Sequence, residues 1–178
     1  MTPSPTDLVS LRKQLMPAEP MRLYAMVDAA GNASALDFLY EHDALSFDCL
    51  FPGDVEPEVF EAAPFLVDLK DQPEVLDWLL EGWGQSWVSF VHSESSLPEL
   101  QIHLRQFTQV RTPDGALVWF RFYDPSVMRT AIPVLNAEQC AQLFKSVALF
   151  LSEGEAPNSL VRLSFDGAKP LVSTIQLA

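Results

Sequence analysis

The sequence predicts an α/β (α+β) fold, with helices flanking a mixed, partly parallel β-sheet. Short runs rich in Val and aromatics at 21–27, 45–51, 65–69 and 87–91 alternate with segments of helical period, the signature of strands joined through helices. Two further pairs of apolar runs close on Asp114-Gly115 and Asp166-Gly167. Asp-Gly between such runs marks a tight hairpin, so antiparallel pairs join the sheet and make it mixed. At 178 residues, 48% of them apolar, the chain fits one domain with a sizeable core.

In chain order, Thr6 or Asp7 can cap a short helix ending at Leu15, stopped by Pro17 and Pro20. The strand at 21–27 closes on Asp28 and a turn over Ala29-Ala30-Gly31-Asn32. Residues 34–41 read as an amphipathic helix, with Ser34 and Asp37 in capping-box spacing. A strand at 45–51 leads into an acidic, proline-punctuated loop over 52–64 with room for one helical turn, then a short buried strand at 65–69. Pro73 opens a helix over 74–80 that Gly82 and Gly84 end. After the strand at 87–91, Ser96 caps a helix running to about 107.

Residues 110–111 and 116–123 then form a hairpin, and 117–123, apolar on both pleat faces, read as an interior strand. Asn136 caps a helix over 137–151, with Leu143, Phe144, Val147, Phe150 and Leu151 on one face. The ends of the chain are a segment with a short helix (1–20) and an extension (152–178) able to form a hairpin between 160–165 and 171–177. The main domain spans 21–151.

Charge excludes several functions. Twenty-four acidic residues against eleven basic give a net charge of −13. Nucleic acid demands clustered Lys and Arg to displace counterions, and anionic membranes demand the same sign. Neither is expected as a partner. Cys49 and Cys140 stand far apart with no metal-ligand spacing, which predicts buried, reduced thiols. No signal-peptide pattern opens the chain and no run spans a bilayer, so a cytoplasmic, soluble protein is expected.

The most informative stretch is Leu117-Val118-Trp119-Phe120-Arg121-Phe122-Tyr123-Asp124-Pro125. A cation among aromatics needs a carboxylate, carbonyls or ring faces to offset its desolvation. Asp28, at another strand end, is its plausible partner. Proline ends the ladder after Asp124. Asp28 and Asp124 are also the one enzyme-like arrangement, because open α/β sheets place sites at strand ends. No phosphate loop, nucleophile elbow or metal motif accompanies them. Neither cofactor nor metal is expected, and His42 and His103 read as surface imidazoles.

Five segments in order resemble the type VI secretion effector chaperones, or adaptors, whose shared domain was long catalogued only as one of unknown function. They are the opening strand from Leu23 to Asp28, the proline-led Ala63-Pro64-Phe65-Leu66-Val67, Gly82-Trp83-Gly84 with Ser86-Trp87, the helix carrying Leu97, Leu100 and His103-Leu104-Arg105, and the Arg121-Phe122-Tyr123-Asp124-Pro125 signature. The resemblance covers about 21–151. It implies a non-catalytic cytoplasmic factor of a bacterial secretion system that binds one toxic effector, keeps it soluble and loads it onto the VgrG spike. Relatives carry a longer helical C-terminal lobe, so the lobe here is reduced. Asp28, Arg105, Arg121, Tyr123, Asp124 and Pro125 are its structural signature. Trp78, Trp83 and Trp87 are candidate partner anchors, because Trp is favoured at interface centres. The effector segment is expected to dock in a groove near the Gly82-Trp83-Gly84 turn. Readings of other classes are a small hydrolase using Asp28 or Asp124, and an immunity-type protein that masks a toxin.

Overall fold

The computed structural model describes residues 5–156 and 158–177. Its elements are α1 (Pro5–Leu15), β1 (Arg22–Asp28), α2 (Ala35–Tyr40), β2 (Phe47–Cys49), α3 (Pro57–Glu61), β3 (Pro64–Asp68), α4 (Pro73–Glu81), β4 (Val88–Ser93), α5 (Leu97–Arg105), β5 (Gln109–Arg111), β6 (Leu117–Trp119), α6 (Pro125–Ala131), a 3-10 turn (Ile132–Val134), α7 (Ala137–Leu143), β7 (Leu149–Glu153), β8 (Ser159–Phe165) and β9 (Pro170–Gln176). Among the described residues, seven strands form one sheet in the order β2-β3-β1-β4-β7-β8-β9, and β5 and β6 form a separate two-stranded ribbon.

Every pairing is antiparallel. The α+β class stands, but the partly parallel sheet expected from strand–helix alternation is corrected. A helix between two strands returns the chain to either end of the sheet, and the amino-acid pattern is the same for both.

Alternation along the strands splits the core into two layers. Leu23, Ala25 and Val27 of β1 face one side, packed with Leu11 and Leu15 of α1, Leu39 of α2 and Val75 and Leu79 of α4. Tyr24 and Met26 face the other, against Leu100 and Leu104 of α5, Met128 of α6 and Cys140 and Leu143 of α7. A strand apolar at every position is what a sheet covered on both faces requires, and all of β1 after Arg22 is buried.

Three local expectations change. The helix expected over 137–151 ends at Leu143, and Leu149–Glu153 is instead β7, a buried strand paired with β4 and β8. The run Val147-Ala148-Leu149-Phe150-Leu151 suits either period, and burial on both sheet faces decides for the strand. The interior strand expected over 117–123 stops at Trp119, all three residues of β6 are exposed, and the burial begins only at Phe122. Asp124-Pro125, read as a strand stop, is the start of α6: Asp124 Oδ1 accepts from the Ser126 and Val127 N–H groups at 2.8 and 3.4 Å, with proline in the first turn. At α2, Ser34 makes no side-chain capping bond, whereas the boxes at Ser96/Glu99 and Asn136/Gln139 are complete. Residues 152–178 contain the hairpin β8–β9, turned by Asp166, whose Oδ1 accepts from the N–H groups of Ala168 and Lys169 at 2.8 and 2.9 Å. That hairpin continues the main sheet through β7.

Candidate functional site

Residues 120–125 carry the ribbon back to the core. The Phe120 N–H donates to the Thr108 carbonyl at 2.8 Å and closes the ribbon's base. Phe122 and Tyr123 are 0% and 4% exposed, and the Ser89 hydroxyl donates to the Tyr123 carbonyl at 2.9 Å. Just before them the Arg121 guanidinium turns outward and pairs with Asp28 Oδ2, with Asp124 Oδ2 at 3.4 Å. Half of the Arg121 side chain stays in water, while the Asp28 side chain is 2% exposed.

This asymmetry sets the electrostatics. Burial raises the Asp28 pKa above its ordinary value, the Arg121 charge and hydrogen bond pull it down, and the Asp124 charge pushes it up again. Asp28 Oδ1 is buried with no well-formed hydrogen bond, the Ala30 N–H exerting only a minor favourable effect on the carboxylate. Burial, with the Asp28 charge added, pushes the Tyr123 phenol up to about 12. Asp28 offers no exposed face to a substrate, and Asp124 Oδ1 is committed to the α6 cap. The cluster is a clamp that ties β1, the ribbon's return and α6 together. Arg105, the remaining signature residue, donates to the Cys49 carbonyl at 3.3 Å, and Gln101 Nε2 donates to the same oxygen at 2.8 Å. Together they fix α5 over the end of β2.

Two of the three tryptophans named as candidate anchors are buried, and the third is partly exposed. Trp83 and Trp87 are each 3% exposed and belong to the core. Trp78 is half-buried, stacked on Phe38 at 3.8 Å between ring centroids and tilted against Trp87 at 5.1 Å. The glycine-tryptophan turn exists to house them. A Cβ on Gly82 would stand 2.0 Å from the Trp87 ring, and one on Gly31 would stand 2.7 Å from the Trp87 Cβ. Gly84, at φ +89°, directs its N–H to Glu153 Oε2 at 2.6 Å, and the Ser86 hydroxyl donates to Oε1. A cleft of about 300 Å³ does lie beside this turn, but its lining includes Ser86, Arg129, Glu153, Asn158 and Ser159. Those side chains make its walls largely polar. Glu153 escaped the sequence reading because it lay beyond what looked like a helix end.

The exposed tryptophan is Trp119. On the ribbon, Leu117 is 54% exposed, Val118 40%, Trp119 52% and Val110 37%. Val110 and Val118 form a cross-strand pair on one face, while Leu117 and Trp119 lie on the other. Trp119 rests against Phe51 at 4.4 Å between centroids. A lone two-stranded ribbon is marginal in water, and apolar side chains on both faces make this one a surface in want of cover. The hairpin turn at Thr112-Pro113-Asp114-Gly115 stands as expected, but the ribbon has three paired positions and its second strand stops at Trp119.

His103, expected at the surface, is buried with Nε2 2.9 Å from the Leu143 carbonyl. Cys49 and Cys140 are buried free thiols. Among the described residues no group of three His, Cys, Asp or Glu is arranged to hold a metal ion, and no helix is long and apolar enough to cross a membrane. A family model described as a domain of unknown function (DUF4123) matches residues 23–142, from β1 into α7. No curated protein and no solved structure matches the chain significantly.

Proposed function

The chain belongs to the DUF4123 family, a domain of unknown function, and from that premise we propose that it is a cytoplasmic chaperone or adaptor that binds one type VI secretion effector, keeps it soluble and loads it onto the VgrG spike. The observation that carries the reading is the β5–β6 ribbon, with Leu117, Val118 and Trp119 exposed together on an otherwise acidic protein. A rigid aromatic beside aliphatics, held away from the main sheet, is the composition of an interface centre. The Arg121–Asp28–Asp124 clamp sets the ribbon's position and so presents it pre-organised, which lowers the cost of binding. Charge of −13 assists encounter with a basic partner, while the ribbon retains it.

Co-purification of the protein with the effector encoded beside it tests the reading. Trp119→Ala should fold as wild type, since the indole is half in water, and should weaken the complex by about 2 kcal/mol or more, roughly thirtyfold. An effector equally soluble and equally secreted without this protein would sink the proposal. Unchanged affinity in Trp119→Ala would remove the ribbon as the docking surface.

A further inference from the structure

Beside β2 lies a cavity of about 470 Å³, lined in part by the rings of Tyr40, Phe47, Phe60 and Phe65. Its size falls within the range of roughly 300–1,000 Å³ that ligand pockets occupy. Tyr40, at the end of α2, is 59% exposed and meets Phe47 of β2 edge to face at 5.3 Å between centroids. Phe47 and Phe60 each meet Phe65 of β3 in the same way, at 5.9 and 5.2 Å. Phe65 is fully buried, and Phe47 and Phe60 are partly so. Three elements and the strand between them thus hold one aromatic hollow open to water.

The charge around this hollow is of one sign. Asp48 lines it and is exposed. Asp48 Oδ1 accepts from the Cys49 N–H at 2.9 Å, and among the described residues the carboxylate pairs with no Lys or Arg. No Lys or Arg lines the cavity. Arg105 comes near, but its Nη2 donates to the Cys49 carbonyl at 3.3 Å and its Nε is buried. From Leu23 to Leu69 the chain carries ten acidic residues and no Lys or Arg. Exposed Glu41, Glu58 and Glu61 stand beside Tyr40 and Phe60 in the chain. Rings that favour a cation, with carboxylates that no cation of this chain offsets, suit a side chain with an apolar stem and a charged head. An anion is repelled from the same place, and a wholly apolar group makes no use of Asp48.

We propose that the hollow beside β2 receives an arginine or lysine side chain from a basic segment of a partner protein, its stem against Phe47 and Phe60, and its cation against the Tyr40 ring and the Asp48 carboxylate. The occupant is a foreign segment, not a second copy, because a copy brings its own charge of −13 against the same charge. The hollow lies close to the ribbon: Cys49 lines it, and the Phe51 N–H, 3.4 Å from Cys49 Sγ, belongs to the residue on which Trp119 rests. One extended segment with a cation set a few residues from an apolar group would engage both. The site rests on the binding reading above in expecting a protein partner, and it deepens that reading by naming the partner's chemistry.

The test uses the full chain, isotope-labelled for NMR at pH 7, and a capped glycine peptide with one central arginine, titrated into the millimolar range. Saturable shifts should appear at the Tyr40, Phe47 and Phe60 rings and at the Asp48 amide. The same peptide with norleucine in place of arginine keeps the stem and loses the charge, and it should bind about threefold more weakly or worse. Tyr40→Leu removes an exposed ring that makes no hydrogen bond, and Asp48→Asn removes the carboxylate charge from an exposed position. Each should keep the wild-type melt and weaken the arginine peptide by about threefold or more. Glu138→Gln removes the same unit of charge from α7, on the other face of the sheet, and should leave the affinity within about twofold, because a distant exposed charge is screened. Equal binding of the norleucine peptide, or unchanged affinity in either Tyr40→Leu or Asp48→Asn, overturns the site. A loss in Glu138→Gln as large as in Asp48→Asn would show a diffuse field without a site and overturns it too. Shifts of the same rings that grow with protein concentration, without peptide, would put a second copy in the hollow, against the proposal. Because the peptide is not an effector, its failure is separate from a failure of the Trp119→Ala co-purification.

Discussion

Arg121 and Asp28 show how one residue pair divides its work between water and core. The carboxylate is buried and the guanidinium half in water, so Arg121→Ala strands a desolvated charge. The loss should be about 1–3 kcal/mol at pH 7, less than the ~3–5 of a fully enclosed pair because water already reaches the arginine. Asp28 has a raised folded pKa, so its contribution to stability is full below the ordinary carboxylate value and is lost as pH rises through the folded value. Removing Arg121 takes away a lowering influence and raises that value further. The deficit of Arg121→Ala should therefore shrink as pH falls towards 4, and urea melts at pH 7 and pH 4.5 should show it. In an Asp28→Asn background the same change should cost about 0.5 kcal/mol or less. Gly82 makes a second residue-scale case. A methyl there meets the Trp87 ring, so Gly82→Ala should cost about 1–3 kcal/mol and lower Tm by several degrees, and Trp87→Phe in the same chain should recover part of it.

At the scale of elements, much of the fold was legible. Ser96, Asn136, and Pro73 with Gly82 each mark a helix end through the chemistry of unpaired backbone groups, and each lies where it should. Legibility failed where one apolar run suits two periods, as at 147–151, and where Asp-Pro serves equally as a strand stop and a helix start, as at 124–125. The site was half legible: the Arg121–Asp28 pairing could be guessed from residue type, but which tryptophan is exposed depends on what packs against it. Another link between elements is not readable at all. His92 on β4 sits with Nε2 2.7 Å from the Leu15 carbonyl at the end of α1. Burial lowers its pKa and the charge of Arg162 adds to this, while the Leu15 bond opposes. A depressed histidine contributes stability present above its unfolded value near 6.5 and lost as pH falls through the folded one. Stability should thus fall on acidification by up to ~1.4 kcal/mol per pH unit from this group, and His92→Gln should flatten that limb in melts between pH 7 and 5.

At the scale of the whole molecule, the main sheet has a middle that is made first and closed later. β1 lies between β3 and β4, and its end is buried against residues from beyond position 120. During synthesis, which releases the N-terminal part first, β1 has no second neighbour until residue 93 has emerged, and Asp28 has no counter-ion until Arg121 has. A nascent chain of about 115 residues therefore holds a carboxylate that favours the wet, open state, and it should stay protease-sensitive at β1. Chains released stepwise from the ribosome should gain resistance in that segment only after Arg121 clears the exit tunnel, and resistance already complete at 115 residues would contradict this order. The same ion pair that holds the ribbon in the finished protein then acts earlier as a timing device, keeping the sheet from sealing before the segment that will carry Trp119's base is available.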